Sequence, residues 1–153
     1  MKASAKQVQP PVKPVACVDP IDWPQVSADL DAQGCAVLHG LLTPEECRAL
    51  AAMYPEESRF RSRVVMSRHG FGRGEYKYFS YPLPDPVSEL RPALYARLVG
   101  VANRWNEAMR IDVRYPATHA AFLERCHDAG QRRPTPLLLQ YEAGDYNCLH
   151  QDL

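Results

Sequence analysis

Apolar residues recur along the chain in two rhythms, and the change from one to the other outlines the fold. Leu90, Leu94, Leu98, Val101 and Trp105 step by four, four, three and four. That spacing returns each side chain to one face of an α-helix. It predicts a long helix that opens at Asp85-Pro86, with Asp85 as its cap, and runs to about Met109. A second helix is predicted from about Thr118 to Ala129, with Phe122, Leu123 and Cys126 inward and Gly130 as its stop. Nearer the start, Thr43-Pro44-Glu45-Glu46 has the form of a helix N-terminus. Thr43 can accept from a backbone N–H, Pro44 suits the first helical position, and Glu46 can reach back to close a capping box. That helix is predicted to end near Met53. A shorter one covers Val26 to Leu30 and is ended by Gly34.

The other rhythm is extended. The apolar run Cys35–Leu42 predicts a buried strand. Glu75-Tyr76-Lys77-Tyr78-Phe79 alternates like a strand until Tyr81-Pro82-Leu83-Pro84 breaks it. Pro136–Tyr141 predicts a further strand, Glu142-Ala143-Gly144 a turn, and Asp145–Asp152 a closing strand. The class is therefore α+β, and the two closing strands read as the opening of a larger sheet. Residues 1–20 read as a flexible Pro-rich tail and residues 21–153 as one domain.

Composition narrows the picture. With 153 residues, 46% hydrophobic, the chain can bury a core. The formal net charge is zero, so the overall balance calls for neither nucleic acid nor membrane. No apolar run is long enough to span a bilayer, and the first residues lack the apolar stretch of a secretory signal. The five cysteines are scattered, with no C-x-x-C pair, which predicts reduced thiols in a cytoplasmic protein rather than a zinc module. His119 and His127 read as capping or surface histidines. Asn103, Trp105 and Asn106 read as packing and hydrogen bonding near a helix end.

One stretch departs from the even charge. Between Arg59 and Lys77 stand Arg59, Arg61, Arg63, Arg68, Arg73 and Lys77 against a single acid, Glu75, with Gly70, Gly72 and Gly74 at the centre. The segment lacks the Lys-Ser/Thr ending of a phosphate loop. It is best read as a solvated loop whose arginines pair with Glu45, Glu46, Glu56 and Glu57. Two other readings stay open: a substrate lid rich in glycine, and a nucleic-acid contact in which Phe60, Phe71, Tyr76 and Tyr78 stack on bases.

The candidate chemistry lies at the end of the chain, in His150-Gln151-Asp152. If Asp145–Asp152 is extended, Tyr146, Cys148, His150 and Asp152 share a face. An imidazole and a carboxylate on alternate residues can converge on one metal, and the N,O pair suits Fe(II), Mn(II) or Zn(II).

The stretch LLLQYEAGDYNCLHQDL, with Tyr141, Gly144, Tyr146 and His150-x-Asp152 in order, resembles the first metal-binding segment of Fe(II)- and 2-oxoglutarate-dependent oxygenases of the prolyl-hydroxylase-like branch. HGFGRGEYKYFSYPLP and CHDAGQRRPTPLLLQY resemble bacterial members of that group. The resemblance covers roughly Cys35 to Leu153. It implies that His150 and Asp152 are two ligands of a 2-His-1-carboxylate iron site, and that Tyr141 faces the 2-oxoglutarate. It implies as cofactors Fe(II), 2-oxoglutarate as co-substrate, and ascorbate as an accessory. The implied fold is a double-stranded β-helix, a jelly roll related to cupins, of which these residues carry the helical part and first strands. The family's distal histidine and its basic residue for 2-oxoglutarate have no counterpart here. The expectation is a fragment that binds Fe(II) weakly and is inactive alone. Peptidyl-prolyl hydroxylation is the first substrate expectation, then a small molecule. The alternatives are a non-catalytic interaction module or split-enzyme subunit that pairs with a C-terminal half through its terminal strand, and an oxygenase that demethylates nucleic-acid bases.

Overall fold

The structure, a computed structural model, describes residues 18–150. The Pro-rich segment 1–17 and residues 151–153, Asp152 among them, lie outside the described residues. Among the described residues the fold is α+β, with four α-helices and two small antiparallel sheets. In chain order the elements are α1 (Trp23–Gln33), α2 (Pro44–Ala52), β1 (Phe60–Val65), β2 (Gly72–Arg73), β3 (Glu75–Phe79), α3 (Asp85–Ala108), α4 (His119–Asp128), β4 (Leu137–Gln140) and β5 (Tyr146–Asn147). No helix among the described residues is long and apolar enough to cross a membrane.

The helix ends follow their local chemistry. Thr43 accepts from the Glu46 backbone N–H (3.2 Å), and the Glu46 carboxylate accepts from the Thr43 N–H (2.8 Å), so the capping box forms. Helix α1 is longer than its apolar pattern indicated. Asp22 caps its first turn, and Gly34 ends it in the left-handed conformation at φ 74°. In α3 the capping position belongs to Pro84; Asp85 is the first helical residue and makes no side-chain cap. Asn103 and Asn106 bind the returning chain. Asn103 exchanges two hydrogen bonds with Tyr115 (2.7 and 3.0 Å), and Asn106 donates to the Val113 carbonyl (2.8 Å). Helices α3 and α4 meet through Tyr95 and Phe122, stacked with ring centres 5.4 Å apart.

Three segments differ from the sequence expectation. Cys35–Leu42 is not a strand: it pairs with no strand among the described residues, turns at Gly40 (φ 70°), and leaves Val37 71% exposed. An apolar run between two helix signals reaches no sheet edge, so hydrophobicity alone does not extend it. Conversely, Phe60–Val65 is a full strand inside the basic segment. Its arginines find partners across the sheet instead of floating in a loop: Arg63 pairs with Glu75, and Arg61 donates to the Pro134 carbonyl (3.2 Å). The closing strand is short. The turn at Glu142–Asp145 forms, but β5 holds only Tyr146–Asn147, and residues 148–150 lie beyond it without regular structure.

The larger sheet has the order β1-β3-β4, with Lys77 facing Arg63 on one side and Leu138 on the other. Residues directly opposite in antiparallel strands share a face. One face of β3 therefore carries Glu75, Lys77 and Phe79. It packs under Tyr54 and Phe60, where Phe60 and Phe79 stack at 4.8 Å. Lys77 is only 3% exposed. Its ammonium donates to the Tyr54 carbonyl (2.9 Å) and to Glu57 (2.7 Å), and lies 4.4 Å from the Tyr54 ring centre. Glu57 is itself largely exposed, so the carbonyl and the ring hold the buried cation as much as the carboxylate does. Lys77→Met, which keeps the stem and removes the charge, is expected to destabilise by about 1–3 kcal/mol because it orphans a buried carbonyl. Glu57→Gln is expected to cost less than about 1 kcal/mol. Urea unfolding midpoints of the two variants check the order.

Candidate metal and co-substrate site

The sequence places Tyr141, His150 and Asp152 in one short segment, and the structure shows what that segment rests on. It rests on Gly72-Arg73-Gly74. Strand β5 pairs with β2, Tyr146 opposite Arg73 and Asn147 opposite Gly72. Cys148 then donates its backbone N–H to the Phe71 carbonyl (2.9 Å). At Gly72 the approach is so close that a β-carbon would lie 2.2 Å from the Tyr146 carbonyl oxygen. At Gly74 a β-carbon would lie 2.7 Å from a Tyr141 ring carbon. Both glycines have positive φ, 123° and 119°, which other residues adopt only with strain. The glycine spacing of HGFGRGEY thus serves close backbone approach, not phosphate binding.

Tyr141 lies over Gly74, 44% exposed, with its ring on the side to which a Gly74 side chain would point. His150 follows three residues after β5 and is exposed. Its Nδ1 is 2.8 Å from the Cys148 carbonyl oxygen. A carbonyl only accepts, so Nδ1 is the donor in this contact. The contact holds the imidazole in a fixed orientation. Asp152 lies outside the described residues, so the strand alternation that would bring it beside His150 is neither seen nor overturned. Among the described residues, no group of three or more His, Cys, Asp or Glu side chains is arranged to hold a metal ion.

On the other side of the sheet's end is a polar cleft of about 490 Å³, lined by Arg63, Arg73, Glu75, Gln140 and Asp145 among others. Its hub is Glu75, which the sequence marks only as the single acid of the basic stretch. That carboxylate binds the Arg63 guanidinium and accepts from the Tyr54 hydroxyl (2.9 Å). Hydrogen bonding from Arg63 holds Glu75 below the usual carboxylate range, against the opposing effect of burial. Burial, with the bond to Glu75, pushes the Tyr54 hydroxyl above the usual phenol range. A depressed carboxylate stabilises the fold above its unfolded pKa, and that contribution fades as pH falls through the folded value. Arg73 reaches Asp145 (3.4 Å), linking β2 to the turn before β5. These cations are thus committed to holding the segment in place.

The glycine contacts give a direct expectation. Gly72→Ala should open the β2–β5 pairing, at a backbone cost of roughly 1–3 kcal/mol, and should accelerate amide hydrogen exchange at Cys148. Gly74→Ala should displace the Tyr141 ring while leaving Cys148 largely protected, because a ring can move and a backbone carbonyl cannot. Unchanged protection of Cys148 in Gly72→Ala would contradict this.

Comparison with known proteins adds a family. A profile of oxygenases described as catalysing oxidative methylation of damaged DNA matches residues 74–153, slightly more than half of the chain. The match starts at Gly74 and includes Tyr141, His150 and Asp152. Two uncharacterized proteins of Mycobacterium tuberculosis, Rv2227 of strain H37Rv and MT2286 of strain CDC 1551, are each 39% identical over 75 residues. Those alignments cover 49% of this chain and 32% of each relative, so the chain spans about a third of the length of the curated relatives it matches. No solved structure matches significantly. The match over residues 74–153 shows that the chain belongs to this family of oxygenases.

Proposed function

We propose that the chain carries part of an Fe(II)- and 2-oxoglutarate-dependent oxygenase site, with His150 and Asp152 as iron ligands and Tyr141 beside the co-substrate. The observation that supports this most is the hydrogen bond from His150 Nδ1–H to the Cys148 carbonyl (2.8 Å), which anchors the imidazole in one orientation. An imidazole nitrogen with a carboxylate two residues on is a donor set that suits Fe(II). Fe(II) and 2-oxoglutarate supply the oxidising chemistry when bound: O₂ is consumed, 2-oxoglutarate becomes succinate and CO₂, and a substrate C–H becomes C–OH.

The chain's own residues do the positioning. The β2–β5 pairing fixes the backbone that leads to His150, and the Cys148 carbonyl fixes its ring orientation. Tyr141, seated on Gly74, can donate its hydroxyl to a bound carboxylate. Of the substrates left open by the sequence, we place a damaged nucleic-acid base ahead of peptidyl proline, because damaged DNA is what the family's description names. Hydroxylation of an N-methyl group gives a product that loses formaldehyde and restores the N–H, so one oxidation removes the methyl carbon.

The test is Fe(II) binding to the 153-residue chain under argon, by equilibrium dialysis and by the visible absorption of an Fe(II)–2-oxo-acid chelate. 2-Oxoglutarate should raise iron retention. His150→Ala and Asp152→Ala should each lower it roughly tenfold or more, as losses of ligand-sphere groups do. Retention that neither substitution changes overturns the assignment.

A further inference from the structure

The face of the larger sheet opposite Lys77 has a composition that packing does not explain. By register it carries Tyr78 opposite Leu137 and its neighbour Tyr76 opposite Leu139. The next position along is Gly74, under the Tyr141 ring. The three tyrosines therefore follow one another along a single sheet face. Tyr76 and Tyr78 meet edge to face at 5.6 Å, and both are half-buried. Leu139 and Tyr141 remain 47% and 44% exposed, so the face is open to solvent. At the far end, the Arg61 guanidinium lies 4.4 Å from the Tyr78 ring centre. A β-bulge between Phe60 and Ser62 gives Arg61 this position, out of step with its neighbours.

Exposed arginines lie near the Tyr78 end of this face. Arg61 donates to the Pro134 carbonyl, and Arg132 and Arg133 immediately precede that residue. All three arginines are exposed, and among the described residues none has a carboxylate within ion-pair distance. In this they differ from Arg59, Arg63 and Arg73, which are committed to Glu56, Glu75 and Asp145. An aromatic row flanked by exposed, uncompensated guanidinium groups matches a ligand made of flat rings on a polyanionic backbone.

We propose that the sheet face carrying Arg61, Tyr78, Tyr76 and Tyr141 binds unpaired bases of single-stranded nucleic acid, with Arg132 and Arg133 on the phosphates. The proposal deepens the oxygenase reading and rests on it for the substrate class. The row leads toward the candidate iron segment, since Tyr141 starts the turn that brings the chain through β5 to His150. An arginine plane over a tyrosine extends the stack rather than blocking it, because guanidinium groups themselves stack on bases. Tyrosine faces accept any base, so the surface would hold a strand without reading its sequence and leave discrimination of the lesion to the oxidising site.

The experiment is fluorescence anisotropy of a labelled oligothymidylate against the 153-residue chain. Tyr78→Ala is expected to weaken binding roughly five- to hundredfold, and Tyr78→Phe to leave it nearly unchanged, since the ring and not the hydroxyl stacks. Arg61→Gln should also weaken binding; because it removes the hydrogen bond to the Pro134 carbonyl as well, an unchanged circular dichroism spectrum and urea midpoint show that the fold is kept. Neutralising two phosphates, at Arg132 and Arg133, should make affinity fall about sevenfold between ~50 and ~200 mM salt. Equal affinity across these variants, or no binding, overturns the proposal. So does salt-insensitive binding displaced by a proline-rich peptide, which would mark a peptide surface. His150→Ala separates this proposal from the oxygenase reading: it should lower iron retention and leave oligonucleotide affinity intact. If iron retention never depended on His150 while Tyr78→Ala still weakened DNA binding, the oxygenase reading would fail and the surface would stand.

Discussion

The backbone contact between Gly72 and Tyr146 governs where the candidate chemistry sits. Two segments more than seventy residues apart in sequence approach so closely that no side chain fits between them. That approach pairs β2 with β5, brings the Cys148 amide to the Phe71 carbonyl, and thereby directs the chain that leads to His150. Gly74, two residues on, accepts the Tyr141 ring in the same way. The glycines do not loosen this region. They allow it to be close-packed where a β-carbon would hold the strands apart.

Strand β3 divides the labour of the sheet by alternation. Glu75, Lys77 and Phe79 point to the packed side, where Tyr54, Phe60, Glu57 and Arg63 satisfy both charge and shape. Tyr76 and Tyr78 point to the other side, which stays partly open and ends at the guanidinium of Arg61. Burying a lysine in a small domain is tolerated only because a carbonyl and an aromatic face sit within reach of it. One side of the strand thus holds the fold together, and the other stays partly open.

Much of the helical part was legible in the sequence, because helix ends are decided locally. Thr43 and Glu46 form their capping box from residues three apart, and Gly34 stops α1 through its own φ. The alternation of Glu75–Phe79 and the apolar run before Gln140 also became strands as expected. What failed was decided by distant partners. Phe60–Val65 is polar enough to pass for loop, and becomes a strand because Glu75 and the Pro134 carbonyl meet its arginines. Cys35–Leu42 is apolar enough to pass for strand, and stays irregular because no sheet edge reaches it. Tyr141 and His150 were identified by their order along the chain, whereas the support beneath them, Gly72 and Gly74, was visible only as a glycine-rich spacing of unknown purpose.

The central proposal is that His150, oriented by the Cys148 carbonyl, is a metal ligand. The most direct measurement is the electron spin echo modulation of Mn(II) bound to the chain as a stand-in for Fe(II). Modulation from a single imidazole nitrogen is expected, lost in His150→Ala and retained in His69→Ala. Modulation that survives His150→Ala, or that vanishes with His69 instead, would contradict the claim.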